Sequence, residues 1–87
     1  MIGQVEHRPE QSRWVFVDDT EQVMGELNYR TNDQSHWHIH HVYVDPSLQG
    51  QGIAKRLVDA IDEYCREDGK QLSSSCSYAT VVLARKT

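Results

Sequence analysis

Between Val23 and Arg30 the apolar residues Val23, Leu27 and Tyr29 fall on odd positions, while Glu26, Asn28 and Arg30 fall on even ones. That period of two marks a strand with one buried face. Met24 and Gly25 blur its start, because glycine weakens a strand interior. Ile2 to His7, broken by Arg8-Pro9-Glu10, and Arg13 to Val17, ending at the turn Asp18-Asp19, read as two earlier strands. After the polar turn Thr31-Asn32-Asp33-Gln34, the stretch His36 to Val44 is strand-like with a defect. Trp37 and Ile39 are apolar on odd positions, Val42 and Val44 on even ones. A one-residue slip turns side chains to the opposite face, and a β-bulge is the device that absorbs it. The pattern predicts a bulge at His40-His41.

From Gly52 to Glu67 the period changes. Ile53, Ala54, Leu57, Val58, Ile61, Tyr64 and Cys65 recur at spacings of three and four, one apolar stripe on a helix. Gly69 is placed to end it as a left-handed cap. Gln71 to Ser75 reads as a short strand, and Ser77 to Ala84 suits a second helix or a final strand. A strand, a helix and a strand make a right-handed crossover with parallel strands, which would lay the last strand beside Val42-Tyr43-Val44. The expected fold class is therefore mixed α/β: a mostly antiparallel sheet with one β-α-β crossover.

The 87 residues allow one domain, taken as 1–87. Hydrophobic residues are 38% of the chain, so the core is thin, and a ligand or second subunit would add to stability; monomer and weak homodimer both fit. The net charge of −4 has the wrong sign for gripping nucleic acid phosphates. No apolar run approaches the roughly 18 to 20 residues that span a bilayer, and Met1 to Arg8 lacks a signal-peptide segment. No nucleic acid and no membrane partner is expected, and the expected location is cytoplasmic. Cys65 and Cys76 are too few for a disulfide framework.

Chemistry concentrates between Val44 and Arg56, where a strand passes through a loop with Gly50 and Gly52 into the helix. Glycines at a helix N-terminus let unpaired N–H groups receive a phosphate. Lys55 and Arg56 sit in the first helical turns, while Asp62, Glu63, Glu67 and Asp68 gather at the other end, the reverse of what the macrodipole favours. A bound polyanion would offset the misplaced cations. The dull alternative is a tight turn before a helix. The third glycine of a dinucleotide fingerprint and the Gly-Lys-Ser/Thr ending of a P-loop are both missing.

Gln49-Gly50-Gln51-Gly52-Ile53-Ala54 resembles the Gln/Arg-x-x-Gly-x-Gly/Ala signature of the GNAT superfamily of acetyl-CoA-dependent N-acetyltransferases, at the expected strand-to-helix junction. His41-Val42-Tyr43-Val44 before it and Ser75-Cys76-Ser77-Tyr78-Ala79 after it extend the likeness to a compact GNAT subfamily over most of the chain. The resemblance implies the GNAT-like acyl-CoA N-acyltransferase fold. It also implies that the loop Gln49, Gly50, Gln51, Gly52, Ile53 and Ala54, with Lys55 and Arg56, holds the CoA pyrophosphate, and that Val42, Tyr43 and Val44 pair with the pantetheine arm. Acetyl would pass to an unidentified amine, small molecule or protein. Ser74 stands where the compact relatives carry Pro, and the chain ends at Thr87 where they continue into a tail with His-Pro. N-terminal helices that enclose the acceptor in larger members have no counterpart, so an open acceptor side is expected.

Three residues are candidate catalysts. Cys76 stands at a strand end before a possible helix, a place that can depress a thiol pKa, and the resemblance gives it the role of acetyl-accepting nucleophile; otherwise it is a small packed side chain. His41, at the bulge, could take a proton from an ammonium or from Cys76, or be an ordinary strand histidine. Tyr78 corresponds to a tyrosine that protonates the departing thiolate in larger relatives, with packing as its alternative. Cys65 belongs to the helix stripe and reads as core, and Trp14, Phe16 and Trp37 read as core or interface residues. His36, His38 and His40 would share a face of a regular strand and could hold Zn or Cu, but no further ligand is evident and no metal is expected. The alternatives to an acetyltransferase are a non-catalytic CoA-binding or protein-interaction module and a His-rich metal-binding domain.

Overall fold

A computed structural model describes residues 3–32 and 35–85. Five strands form one sheet in chain order: β1 (Gly3–Arg8), β2 (Arg13–Asp18), β3 (Val23–Thr31), β4 (His36–Val44) and β5 (Gln71–Ser74), with α1 (Ile53–Glu67) between β4 and β5 and α2 (Ser77–Arg85) after β5. The first four strands are an antiparallel meander and β5 joins β4 in parallel, as the crossover requires. The first strand begins at Gly3, Ile2 lying outside the described residues; Pro9–Gln11 forms a 3-10 turn where the sequence pattern broke. Between β2 and β3 the Asp18 carboxylate accepts hydrogen bonds from the Thr20 and Gln22 amides and from the Thr20 hydroxyl. Those bonds draw the Asp18 carboxyl below its ordinary value. Asp33 and Gln34, in the expected β3–β4 turn, lie outside the described residues.

The α1 stripe of Ile53, Leu57, Val58, Ile61 and Cys65 is buried against Phe16, Leu27 and Ile39 from the sheet. Each such Leu, Ile or Phe contributes about 1.5–3 kcal/mol by leaving water. Gly25 sits under the start of the helix: a Cβ there would stand 3.3 Å from the Tyr43 carbonyl oxygen and 3.6 Å from Ile53 Cγ2. Close approach of helix to sheet therefore explains the glycine that blurred the β3 pattern. The far end of α1 closes with Gly69 at φ 68, its N–H reaching the Arg66 carbonyl and that of Lys70 the Cys65 carbonyl, the paired bonds of a left-handed cap. Among the described residues, no helix is long and apolar enough to cross a membrane.

At the β1–β3 end of the same layer, His7 stacks on Trp14 at 4.1 Å and its Nε2 lies 2.7 Å from the Tyr29 hydroxyl. Trp37 stacks on Tyr29 and Tyr64 closes the group from α1. Loss of water pushes the His7 pKa down and raises that of Tyr29 to about 12. Trp14, Phe16 and Trp37 are core residues, as their character indicated.

The slip in β4 is a bulge. Asn28 pairs with His41 and Tyr29 with Ile39, leaving His40 as the extra residue. Val42 and Val44 thereby return to the core face that Trp37 and Ile39 occupy. One expectation fails at this point. The last strand does not lie beside Val42-Tyr43-Val44; β5 pairs with His36 to Ile39 and stops at Ser74. The bulge turns the second half of β4 away from a straight path, so a parallel neighbour in register before it cannot follow afterwards.

Candidate active site

Two strands that part company leave a fork. Its apex is the bond from Ser75 N–H to the Ile39 carbonyl at 3.0 Å; beyond it the β4 edge from Val42 to Val44 has β3 on one side only. A cleft of about 480 Å³ opens there, walled by Val42 and Val44 from β4, Ile53 and Ala54 from α1, and Tyr78 from α2. Its floor is the loop Leu48, Gln49, Gly50 and Gly52. A strand edge with free N–H and C=O groups beside an apolar wall suits an extended chain carrying amides.

The loop is built by local hydrogen bonds. The Asp45 carboxylate accepts from the Ser47 amide at 2.9 Å and the Ser47 hydroxyl at 2.7 Å, which holds its pKa below the usual carboxylate value and starts the 3-10 turn Pro46–Leu48. Gln49 Nε2 reaches back to the Val44 carbonyl at 3.5 Å. Gly50 and Gly52 then adopt φ of 86 and 77, a region closed to most residues. A Cβ on either would meet no protein atom within 4 Å, so neither glycine makes room for the protein itself. Gly52 caps α1 without any side-chain hydrogen bond and no acidic residue stands in the first turn, which leaves the first amides of α1 directed at the cleft mouth. This cradle fits a diphosphate, and the walls above it fit an amide-bearing apolar arm.

The cations behave differently from the expectation. Lys55 Nζ pairs with Asp59 Oδ2 at 2.8 Å, and the Arg56 guanidinium lies over the Phe16 ring at 5.0 Å. Arg66 likewise pairs with Asp62 at 3.1 Å. The reversed charge gradient along α1 is thus offset within the protein, and neither Lys55 nor Arg56 lines the cleft. What recommends the loop is backbone geometry, not side-chain charge. Tyr43 and Gln51 are exposed and outside the lining as well, and Leu48, which the sequence reading passed over, is buried in it. An apolar residue amid Asp45 to Gln51 was the available signal.

Residues 13–87 match the family described as GCN5-related N-acetyl-transferase. The chain belongs to that family. Its members are acyltransferases that use acetyl-CoA. A GCN5-like protein from Staphylococcus aureus shares 29% identity over 95% of this chain and 79% of its own, with a TM-score of 0.74. A GNAT-family N-acetyltransferase from Escherichia coli, solved with CoA, shares 27% over 67% of this chain at a TM-score of 0.60. An aminoglycoside acetyltransferase from an uncultured soil metagenomic sample, solved with sisomicin, superposes with a TM-score of 0.62 at 24% identity. The chain spans 35% and 55% of these last two. Among curated proteins none matches the sequence.

Within this acetyltransferase fold the three candidate catalysts occupy different places. Tyr78 is in the first turn of α2 and lines the cleft. Cys76 directly precedes α2, half-buried against the core; of the two readings of the last segment, the helix is the one observed. The Ser74 hydroxyl accepts from the Cys76 amide at 3.1 Å and donates to the Cys76 carbonyl at 3.0 Å, so it fixes by hydrogen bonding the turn that a proline would fix covalently. His41, opposite Asn28, is exposed on the sheet face away from α1. Burial pushes the Cys65 thiol up to about 11, which keeps it protonated core. His36 and His38 converge on Ser73, and among the described residues no three His, Cys, Asp or Glu gather to hold a metal.

Proposed function

We propose that this chain transfers acetyl from acetyl-CoA directly to an amine that approaches on the sheet face opposite α1. The fork between β4 and β5, floored by Gly50 and Gly52, is the observation that carries this reading. Val42 and Val44 would hold the pantetheine arm and the amides from Gln49 to Ala54 the pyrophosphate. The bound thioester supplies an activated acetyl group. The protein's contribution is to hold it at the fork, exclude water with Val42, Ile53 and Leu48, and offer Tyr78 as proton donor to the departing sulfur. Among the described residues both helices pack into the one core cluster, and the opposite sheet face, which carries Glu26, Asn28, His41 and Tyr43 in adjacent register, gives the amine its way in.

Calorimetry with CoA, followed by thiol release from acetyl-CoA with spermidine, sisomicin or a lysine-containing peptide, tests this. Binding plus amine-dependent release supports it; binding without release by any of the three makes the chain a CoA-binding module instead. A second reading rests on Cys76, half-buried directly before α2, as a thiol that accepts acetyl from the cofactor. It predicts an adduct of about 42 Da on the intact protein, lost in Cys76→Ala and kept in Cys65→Ala. Direct transfer predicts no adduct and turnover retained in Cys76→Ala.

A further inference from the structure

On the sheet face opposite α1, four side chains along the β4–β5 seam form a continuous hydrogen-bonded row. His36 Nε2 lies 2.8 Å from Ser73 Oγ, the same oxygen is 2.7 Å from His38 Nδ1, and His38 Nε2 is 3.0 Å from Ser75 Oγ. Strand alternation puts the row together: Trp37 and Leu72 pair into the core, so His36, His38 and Ser73 point the other way. Ser75 stands at the apex of the fork, its amide making the last bond between the strands. The row therefore begins where the cleft begins and ends at the opposite end of the seam.

We propose that this row is a proton relay that carries the proton released by acetyl transfer away from the fork; it rests on the acetyltransferase reading above. The stoichiometry supplies a proton for such an exit. An ammonium and a thioester give an amide, a thiol and one free proton: the C–N bond forms, the C–S bond breaks, and two protons leave the nitrogen. One ends on sulfur. The other must reach water. A neutral imidazole has one N–H and one lone pair, and a hydroxyl both donates and accepts. The row can then run from Ser75 O–H to His38 Nε2, from His38 Nδ1–H to Ser73 Oγ, and from Ser73 O–H to His36 Nε2. A proton entering at Ser75 reverses every bond and expels one at His36. Exchange of the partly exposed rings with water restores the first sense. Among the described residues, the charged and titratable groups around His38 include Arg30, its register partner on β3, His36 across the Ser73 hydroxyl, and His40.

Ser73 is the joint, since its single oxygen connects both rings. Ser73→Ala should lower kcat about 100-fold, the low end of proton-transfer effects, with little change in KM for acetyl-CoA. Added imidazole should restore the rate, and Ser73→Thr, which keeps the hydroxyl, should stay near wild type. His38→Gln, at the next joint, should show the same split between kcat and KM should Ser73→Ala fail to fold. A readout free of turnover is the titration of the imidazole nitrogens by NMR: protonating one ring should shift the other in the wild type and not in Ser73→Ala. Independent titration of the two rings in the wild type, or wild-type turnover in both Ser73→Ala and His38→Gln, would overturn the relay while leaving the acetyltransferase reading intact. Failure of the wild type to bind CoA or to release thiol with any of the three amines would overturn that reading, and the relay with it.

Discussion

The two halves of β4 have the same strand geometry and opposite fates. From His36 to Ile39 the strand is bonded on both sides, by β3 and β5; from Val42 to Val44 it is bonded on one. Only His40, the extra residue of the bulge, and His41 separate them. The first half stabilises the sheet, and the second presents an unpaired edge to a cleft. The two ends of α1 repeat the contrast. Gly69 closes the C-terminal end with two backbone bonds, whereas Gly52, with a similar positive φ, leaves the N-terminal amides without a side-chain cap. In both places unmade hydrogen bonds are gathered on the side of the cleft. Exposed donors and acceptors of this kind are a liability for a sheet edge and an asset for a ligand with amides and phosphates.

Valine at each of the two α1 glycines would separate these roles most strongly. Both positions impose positive φ, so either variant should lose about 1–3 kcal/mol of stability in denaturant unfolding. Only Gly52→Val should also weaken CoA binding, by about 100-fold or more, equivalent to about 3 kcal/mol, because its side chain would stand in the cradle. Gly69→Val should bind CoA as the wild type does. Equal affinities in calorimetry would place the phosphates elsewhere. Gly25→Val tests the support beneath the cleft: with the Tyr43 carbonyl 3.3 Å from a modest Cβ, it should cost about 1–3 kcal/mol in unfolding free energy by overpacking and weaken CoA binding less than Gly52→Val does.

The aromatic end of the sheet, away from the cleft, should respond to pH instead of ligand. The folded His7 pKa is below its ordinary 6.5, so the unfolded chain binds the extra proton first. Stability is full above about pH 6.5 and falls as pH drops below it toward the folded pKa. Melting at about pH 7.5 and about pH 5.5 should show this drop, and His7→Gln should reduce it without abolishing it, since His40 is shifted in the same direction. The smallest effect belongs to Lys55. Its pair with Asp59 is an exposed i,i+4 contact worth about 0.3–0.5 kcal/mol, and Lys55→Gln should change CoA affinity less than about tenfold. A larger loss would return the cation to the phosphate site.

Periodicity makes most of the fold legible in the sequence. The β3 alternation, the α1 stripe and the phase slip of β4 each followed from which side must be buried, and burial is what hydrophobic pattern records. The pairing of β5 was not legible, because a four-residue strand, Gln71–Ser74, has too few side chains to fix its register. The glycine loop was readable as a helix start that favours anions, yet the partners of Lys55 and Arg56 were not: Asp59 is one turn along the helix, and Phe16 comes from a distant strand. The His-Ser row was hidden for a similar reason. Its histidines suggested a metal by their spacing alone, and the serines that engage them arrive through the crossover.

The central claim is that the fork and its glycine loop are the acetyl-CoA site. Titrating labelled protein with CoA while following backbone amides by NMR tests it most directly. The account predicts that the largest shifts fall at Val42 to Val44 and at Gly50 to Ala54, with His36 to Ile39 and Gly69 little changed. Shifts centred on β1 or on the His7 cluster, or none at millimolar CoA, would contradict it.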